Sequence, residues 1–146
     1  MLTLKKIFTK ARLERWAVPH FNISDAAMLK GLVLAAEEEK APILIGTSEG
    51  ESEFLGRRQA VAIVLSYRQE FDLPIFLNAD HCHGVATAKA AIDAGYDSVH
   101  IDLSKFPLEE NIAGTKEVVL YAQEKNPDIS VEEVHLSAHK KLDLLF

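Results

Sequence analysis

Short apolar runs, each closed by polar residues, alternate along this chain with longer stretches of helical period. The runs are too brief for helices and fit buried strands. They predict strands at about 17–22, 42–47, 75–79, 98–102 and 129–132, with helices at about 2–14, 25–40, 56–71, 85–94 and 109–125. In the first helix Leu4, Ile7, Phe8 and Ala11 fall on one stripe. Ser24 and Asp25 supply an N-cap and a first-turn acid for the second, and Pro42 breaks it. Gly95 stands just past the fourth, and Pro107, Glu109 and Glu110 suit the start of the fifth. The stretch TSEGESEF, residues 47–54, reads as the segment closing the second strand.

Strands and helices alternating at a spacing of roughly 25–30 residues form the period of βα units. The expected sheet is parallel, in sequential strand order, with helices on one face. No linker, low-complexity tract or domain break interrupts it. Two architectures remain open on this pattern. An eight-stranded barrel typically needs about 250 residues, and the chain has 146. A flavodoxin-like sheet fits the length, yet the turn HFNISD after the first strand carries no glycine-rich phosphate motif.

Candidate chemistry gathers at the ends of the third and fourth strands. Asn78, Asp80, His81 and His83 follow the run Pro74–Leu77, and Asp102 closes the next strand. Barrels and open parallel sheets build their active sites at such carboxyl ends. Asp80 and His81 form either a local hydrogen-bonded pair or part of a metal site. Zinc accepts imidazole and carboxylate and keeps about three protein ligands in a catalytic centre. His81 could supply one, leaving Asp80 free as an acid or base.

Composition narrows the setting. No apolar run reaches eighteen residues, so no membrane span is expected, and residues 1–15 lack the apolar core of a signal peptide. The single cysteine, Cys82, excludes an internal disulfide framework and suits a reducing cytoplasm; it reads as a metal ligand or a half-buried thiol. A net charge of −6 without a basic block argues against nucleic acid as a partner.

The stretches VPHFNI, APILIGTSEGE, NADHCH, AIDAGYDSVHIDLSKFPLEENIAGTKEVV and NPDISVE resemble the class II, metal-dependent fructose-bisphosphate aldolase family, and within it the ketose-bisphosphate aldolases, from about Trp16 to Glu132. The resemblance implies an α/β fold, an incomplete TIM (β/α)8 barrel of about five βα units over residues 1–132, with a divergent tail at 133–146. It implies zinc as cofactor and a phosphorylated sugar as substrate. His81 matches the first zinc-binding histidine, and Asp80 the acid/base for the C4 hydroxyl proton in aldol cleavage. Asp102 matches a carboxylate of a second metal position, Ser48 a serine that meets substrate phosphate, and Asn22 a pocket-lining residue. Splitting the C3–C4 bond leaves an enediolate, whose charge a Lewis-acid metal stabilises without a Schiff-base lysine; Lys105 is expected on the surface.

The pattern departs from the family at Glu132. Where the family continues Glu-x-Glu-Leu-Gly, the chain reads VEEVHLSAHKKLDLLF, with Val134 at a ligand position. His135 and His139, four residues apart, would share a helix face and either bind zinc or stand there by chance. The expectation is an aldolase lineage whose chain is inactive by itself. The alternatives are a non-catalytic half-barrel remnant that self-associates and a small metal-binding α/β protein. Open edges at the first and last strands favour self-association or a homo-oligomer, and interior side chains such as Phe76 are expected to be partly exposed.

Overall fold

A computed structural model describes residues 2–133. The calls on Val134, His135, His139 and most of the tail lie outside that range. The elements run α1 (Leu4–Glu14), β1 (His20–Asn22), α2 (Ala26–Glu39), β2 (Ile43–Thr47), α3 (Glu49–Leu55), α4 (Arg57–Phe71), β3 (Ile75–Cys82), α5 (Val85–Ala94), β4 (Ser98–Ile101), α6 (Leu108–Lys125) and β5 (Ser130–Glu133). The strands form one sheet in the order β1-β2-β3-β4-β5, every neighbour parallel. This is an α/β fold, five βα units of an incomplete (β/α)8 barrel.

Local chemistry accounts for the helix ends. Thr3 and Asp25 cap α1 and α2 through their side chains, and Gly95 ends α5 in the left-handed region at φ 101°. The stretch expected only to close the second strand forms α3. Ser48 and Glu51 make a reciprocal capping box there, which nucleates a helix of seven residues despite Gly50. Gly56, at φ 83°, then turns the chain directly into α4.

The two faces of the sheet are chemically distinct. On the outer face Ile45, Leu77, Val99 and Ile101 pack against Leu29, Val33, Val64, Ala88 and Val118 of the helices in one continuous core. The inner face follows from the registers Asn22↔Gly46, Gly46↔Asn78, Asn78↔Ser98 and His100↔Glu132, because side chains two apart share a face. It grades from Leu44 and Phe76 at the base, through Gly46, Asn78, Ser98 and Ser130, to Asn22, Asp80, His100 and Glu132 at the rim. Gly46 is required in the middle layer: a side chain there would run into Asn22 Oδ1 and His20 Nε2.

Strand register is pinned by buried and half-buried polar contacts. Ser98 Oγ donates to Asn78 Oδ1 at 2.6 Å across β3 and β4. Arg68 of α4 reaches the Ile75 carbonyl at 2.7 Å and Asp97 at 2.6 Å, and Asp97 in turn accepts from the Leu77 amide at 2.8 Å.

One expectation fails at the base of the inner face. Phe76 is 3% exposed, not open to solvent. Leu4 and Ile7 of α1 pack on Leu44 and Phe76, with Phe8, Trp16 and Val18 around them, and the Arg68 guanidinium lies over the Phe76 ring, 5.5 Å from its centre. The helices are therefore not confined to one face. The apolar stripe of α1 finds its partner on the side where a closed barrel would place the opposite strands. Replacing Phe76 by Ala should cost about 3–5 kcal/mol in chemical denaturation. A loss below about 1 kcal/mol would mean that α1 does not cover this ring.

Candidate active site at the carboxyl ends of the strands

β3 does not end as a regular strand. Its pairing with β4 passes from Ala79↔Val99 to Cys82↔Ile101, so three steps on β3 oppose two on β4. That is a β-bulge, a device common at barrel rims. His81 absorbs it in the left-handed region at φ 51°, unusual for a residue with a side chain.

The bulge brings the expected residues together. His81 Nδ1 lies 2.8 Å from Asp102 Oδ2, and His81 Nε2 lies 3.9 Å from Asp80 Oδ1. Asn22 Nδ2 donates to Asp80 Oδ2 at 2.9 Å. Ser48 joins through Glu51, whose Oε2 accepts from the Ser48 amide at 2.8 Å and from Asn22 Nδ2 at 3.5 Å. The Ser48 hydroxyl is itself used as the cap of α3, accepting from the Glu51 amide at 3.3 Å. Asp102, expected as a ligand at a second metal position, is engaged with His81 and with the Ser104 amide at 3.1 Å.

Two further groups belong to the rim and had no assigned role. His100 stands two residues before Asp102, on the same face as Ser98, and its Nδ1 is 3.4 Å from Asp80 Oδ1. Its ring centre is 4.2 Å from that of His81. The alternation of SVHI carried this signal. His83 turns away to Glu49, its amide at 3.0 Å from Oε1 and its Nδ1 at 3.1 Å from Oε2.

The electrostatics favour anionic carboxylates. Burial works against the charge on Asp80, but hydrogen bonds from Asn22 and His100, with the fields of His81 and His20, outweigh it and hold the group below its ordinary pKa. Burial likewise opposes ionisation of Asp102, yet hydrogen bonds from Ser104 and His81 bring it down to about 2. Cys82 behaves in the opposite way. It is 2% exposed, on the core side of the sheet. Burial, reinforced by the charges of Glu49 and Asp80 and only partly offset by Arg57, pushes its thiol up to about 12. Of the two readings of Cys82, the structure favours the buried thiol.

A donor set for a metal is present. Asp80, His81 and His100 each turn one ligating atom into a space where all lie within 4.8 Å of one another. Two imidazoles and a carboxylate suit zinc.

The fold and rim define an α/β protein, part of a barrel, with imidazole and carboxylate groups converging at the carboxyl ends of its strands. The chain belongs to the class II fructose-bisphosphate aldolase family, whose model matches residues 2–136. Among curated relatives it is 36% identical over 135 residues to a 6-phospho-5-dehydro-2-deoxy-D-gluconate aldolase of Halalkalibacterium halodurans, covering 90% of this chain and 47% of that protein. It is 34% identical to a fructose-bisphosphate aldolase of Geobacillus stearothermophilus, with the same coverage of 90% and 47%. Among solved structures, the YdjI aldolase of Escherichia coli K12 superposes with a TM-score of 0.81 at 30% identity, over 90% of this chain and 51% of that one. The chain thus spans about half the length of the curated relatives it matches.

Two outcomes follow for stability and reactivity. His81→Gly should be more stable than His81→Ala by about 1 kcal/mol, because both lose the imidazole and only alanine keeps a side chain in the left-handed region. Equal stabilities in thermal melts would remove the bulge geometry. The Cys82 thiol should resist an aromatic disulfide reagent at pH 8 and react only on unfolding; fast labelling of the native chain would show that its burial is wrong.

Proposed function

We propose that this rim is the acid/base and metal-holding half of a class II aldolase site. The reaction is reversible aldol cleavage of fructose 1,6-bisphosphate, or a related ketose bisphosphate, to dihydroxyacetone phosphate and an aldehyde. The observation supporting this is the fixed imidazole of His81. Asp102 holds Nδ1, so Nε2 is presented toward Asp80 and the inner face of the sheet. A metal-ligating histidine characteristically gives its other nitrogen to a carboxylate.

In this reading each residue has a defined task. Asp80, kept anionic by its surroundings, accepts the C4 hydroxyl proton of the sugar. Asn22 orients that carboxylate through Oδ2, and Ser48, at the start of α3, meets substrate phosphate. His81 holds a zinc ion, which when bound supplies a positive charge beside the developing oxyanion. The two relatives' names, one for a phosphorylated deoxygluconate and one for fructose bisphosphate, share a phosphorylated sugar as substrate. A cytoplasmic setting and self-association through the edges that β1 and β5 leave unpaired among the described residues complete the proposal.

Residues 2–133 supply one side of this chemistry. Among residues 2–133 no group is assigned to the proton on the nucleophilic carbon. Losing one member of a catalytic unit commonly costs orders of magnitude in rate. The purified 146-residue chain, given zinc and fructose 1,6-bisphosphate, should therefore show no measurable cleavage in a coupled assay. Turnover abolished by both Asp80→Ala and His81→Ala would uphold the assigned roles and refute the inactivity.

A further inference from the structure

We propose that Asp80, His81 and His100 form a three-donor zinc site contained within this half of the barrel, with Asp80 as a ligand for as long as no substrate is bound. Tetrahedral zinc with bonds of about 2.0–2.1 Å sets its donor atoms about 3.3–3.4 Å apart. His100 Nδ1 and Asp80 Oδ1 already stand 3.4 Å apart, and His81 Nε2 stands 3.9 Å from the same oxygen. The second edge closes by a small rotation of a side chain that is 49% exposed.

The surroundings leave the right atoms for the ion. Asp102 occupies His81 Nδ1, and Asn22 occupies Asp80 Oδ2, so the atoms of these two residues turned inward are Nε2 and Oδ1. Asp102 is itself tied to the Ser104 amide, which fixes the ring it orients. The rings of His81 and His100 are tilted by 48° and not stacked, and one ligating atom of each lies within 4.8 Å of the other. Three protein donors with an exposed side at His81 match a catalytic zinc geometry, in which one position stays open.

A chemical consequence separates this from the role given to Asp80 above. With Oδ1 on the ion and Asn22 on Oδ2, the remaining lone pair of Oδ2 is the place left for a substrate hydroxyl. Metal ligation and proton acceptance by Asp80 therefore oppose one another, because a carboxylate on a cation is a weaker base than a free one. The resting site is a binding site first.

The assignment rests on the reading of this rim as a metal centre but needs no turnover, so zinc binding tests it directly. The 146-residue chain, carrying His135→Ala and His139→Ala so that the tail cannot contribute, is titrated with zinc against a chromophoric chelator. One equivalent should bind. His100→Asn should weaken binding by at least about tenfold, whereas His100→Cys, which restores a donor, should recover most of it. Long-range proton–nitrogen spectra of the chain with His100 intact give a readout that needs no variant at that position. Zinc should shift the ring nitrogens of both His81 and His100. A shift confined to His81, with His100→Asn binding as tightly as the parent, would overturn the three-donor site and leave the metal-centre reading standing. No shift at either ring would overturn both.

Discussion

One extra residue in β3 decides what this rim can do. In a regular strand consecutive side chains point to opposite faces, so Asp80 and His81 could not serve one site. The bulge between Ala79 and Cys82 turns the chain within one residue, and both groups reach the carboxyl end of the sheet. The turn forces His81 into a backbone conformation costing about 1–2 kcal/mol. Contacts on either side oppose that strain: the Asp102 amide donates to the Cys82 carbonyl at 2.8 Å, and the Asp102 carboxylate holds the His81 ring. The residue under strain is also the residue with the most chemistry to perform, a pairing common at functional sites.

Beneath the rim, the inner face is organised as layers. Leu44 and Phe76 meet α1 at the base, buried Asn78 and Ser98 bond to one another above them, and charged groups come last. A small residue at Gly46 lets the side chains of His20 and Asn22 cross the sheet, which carries Asn22 to Asp80. Packing and chemistry are thus divided along the strand axis. A change at the base alters stability before it alters the site, and a change at the rim does the reverse.

Much of this was legible in the residues. Apolar runs such as ILIGT and IFLNA located the strands, and the carboxyl-end rule located Asp80, His81 and Asp102. Two kinds of information were not. Bulge geometry depends on how β3 pairs with β4, and the DHC run holds no glycine to announce a left-handed residue. The cover over Phe76 depends on α1 crossing to the inner face, a tertiary choice that its amphipathic stripe allows without specifying. His100 and α3 were different. Alternation in SVHI and the Ser48–Glu51 capping pattern were both present in the residues.

The seat of α1 also constrains how the chain can be made. Adjacent strands pair locally, so each βα unit can dock as soon as its predecessor has formed. The first helix cannot. Its stripe rests on Phe76, and Lys5 donates to the Pro127 carbonyl at the start of the last strand's approach. A chain emerging from the ribosome therefore carries Leu4 and Ile7 without their partners until β3 is complete, and Lys5 without its own until nearly all the described residues have left. Over that interval the first of the described helices is among the last to settle, and its apolar stripe is the surface open to a chaperone or to a neighbouring nascent chain.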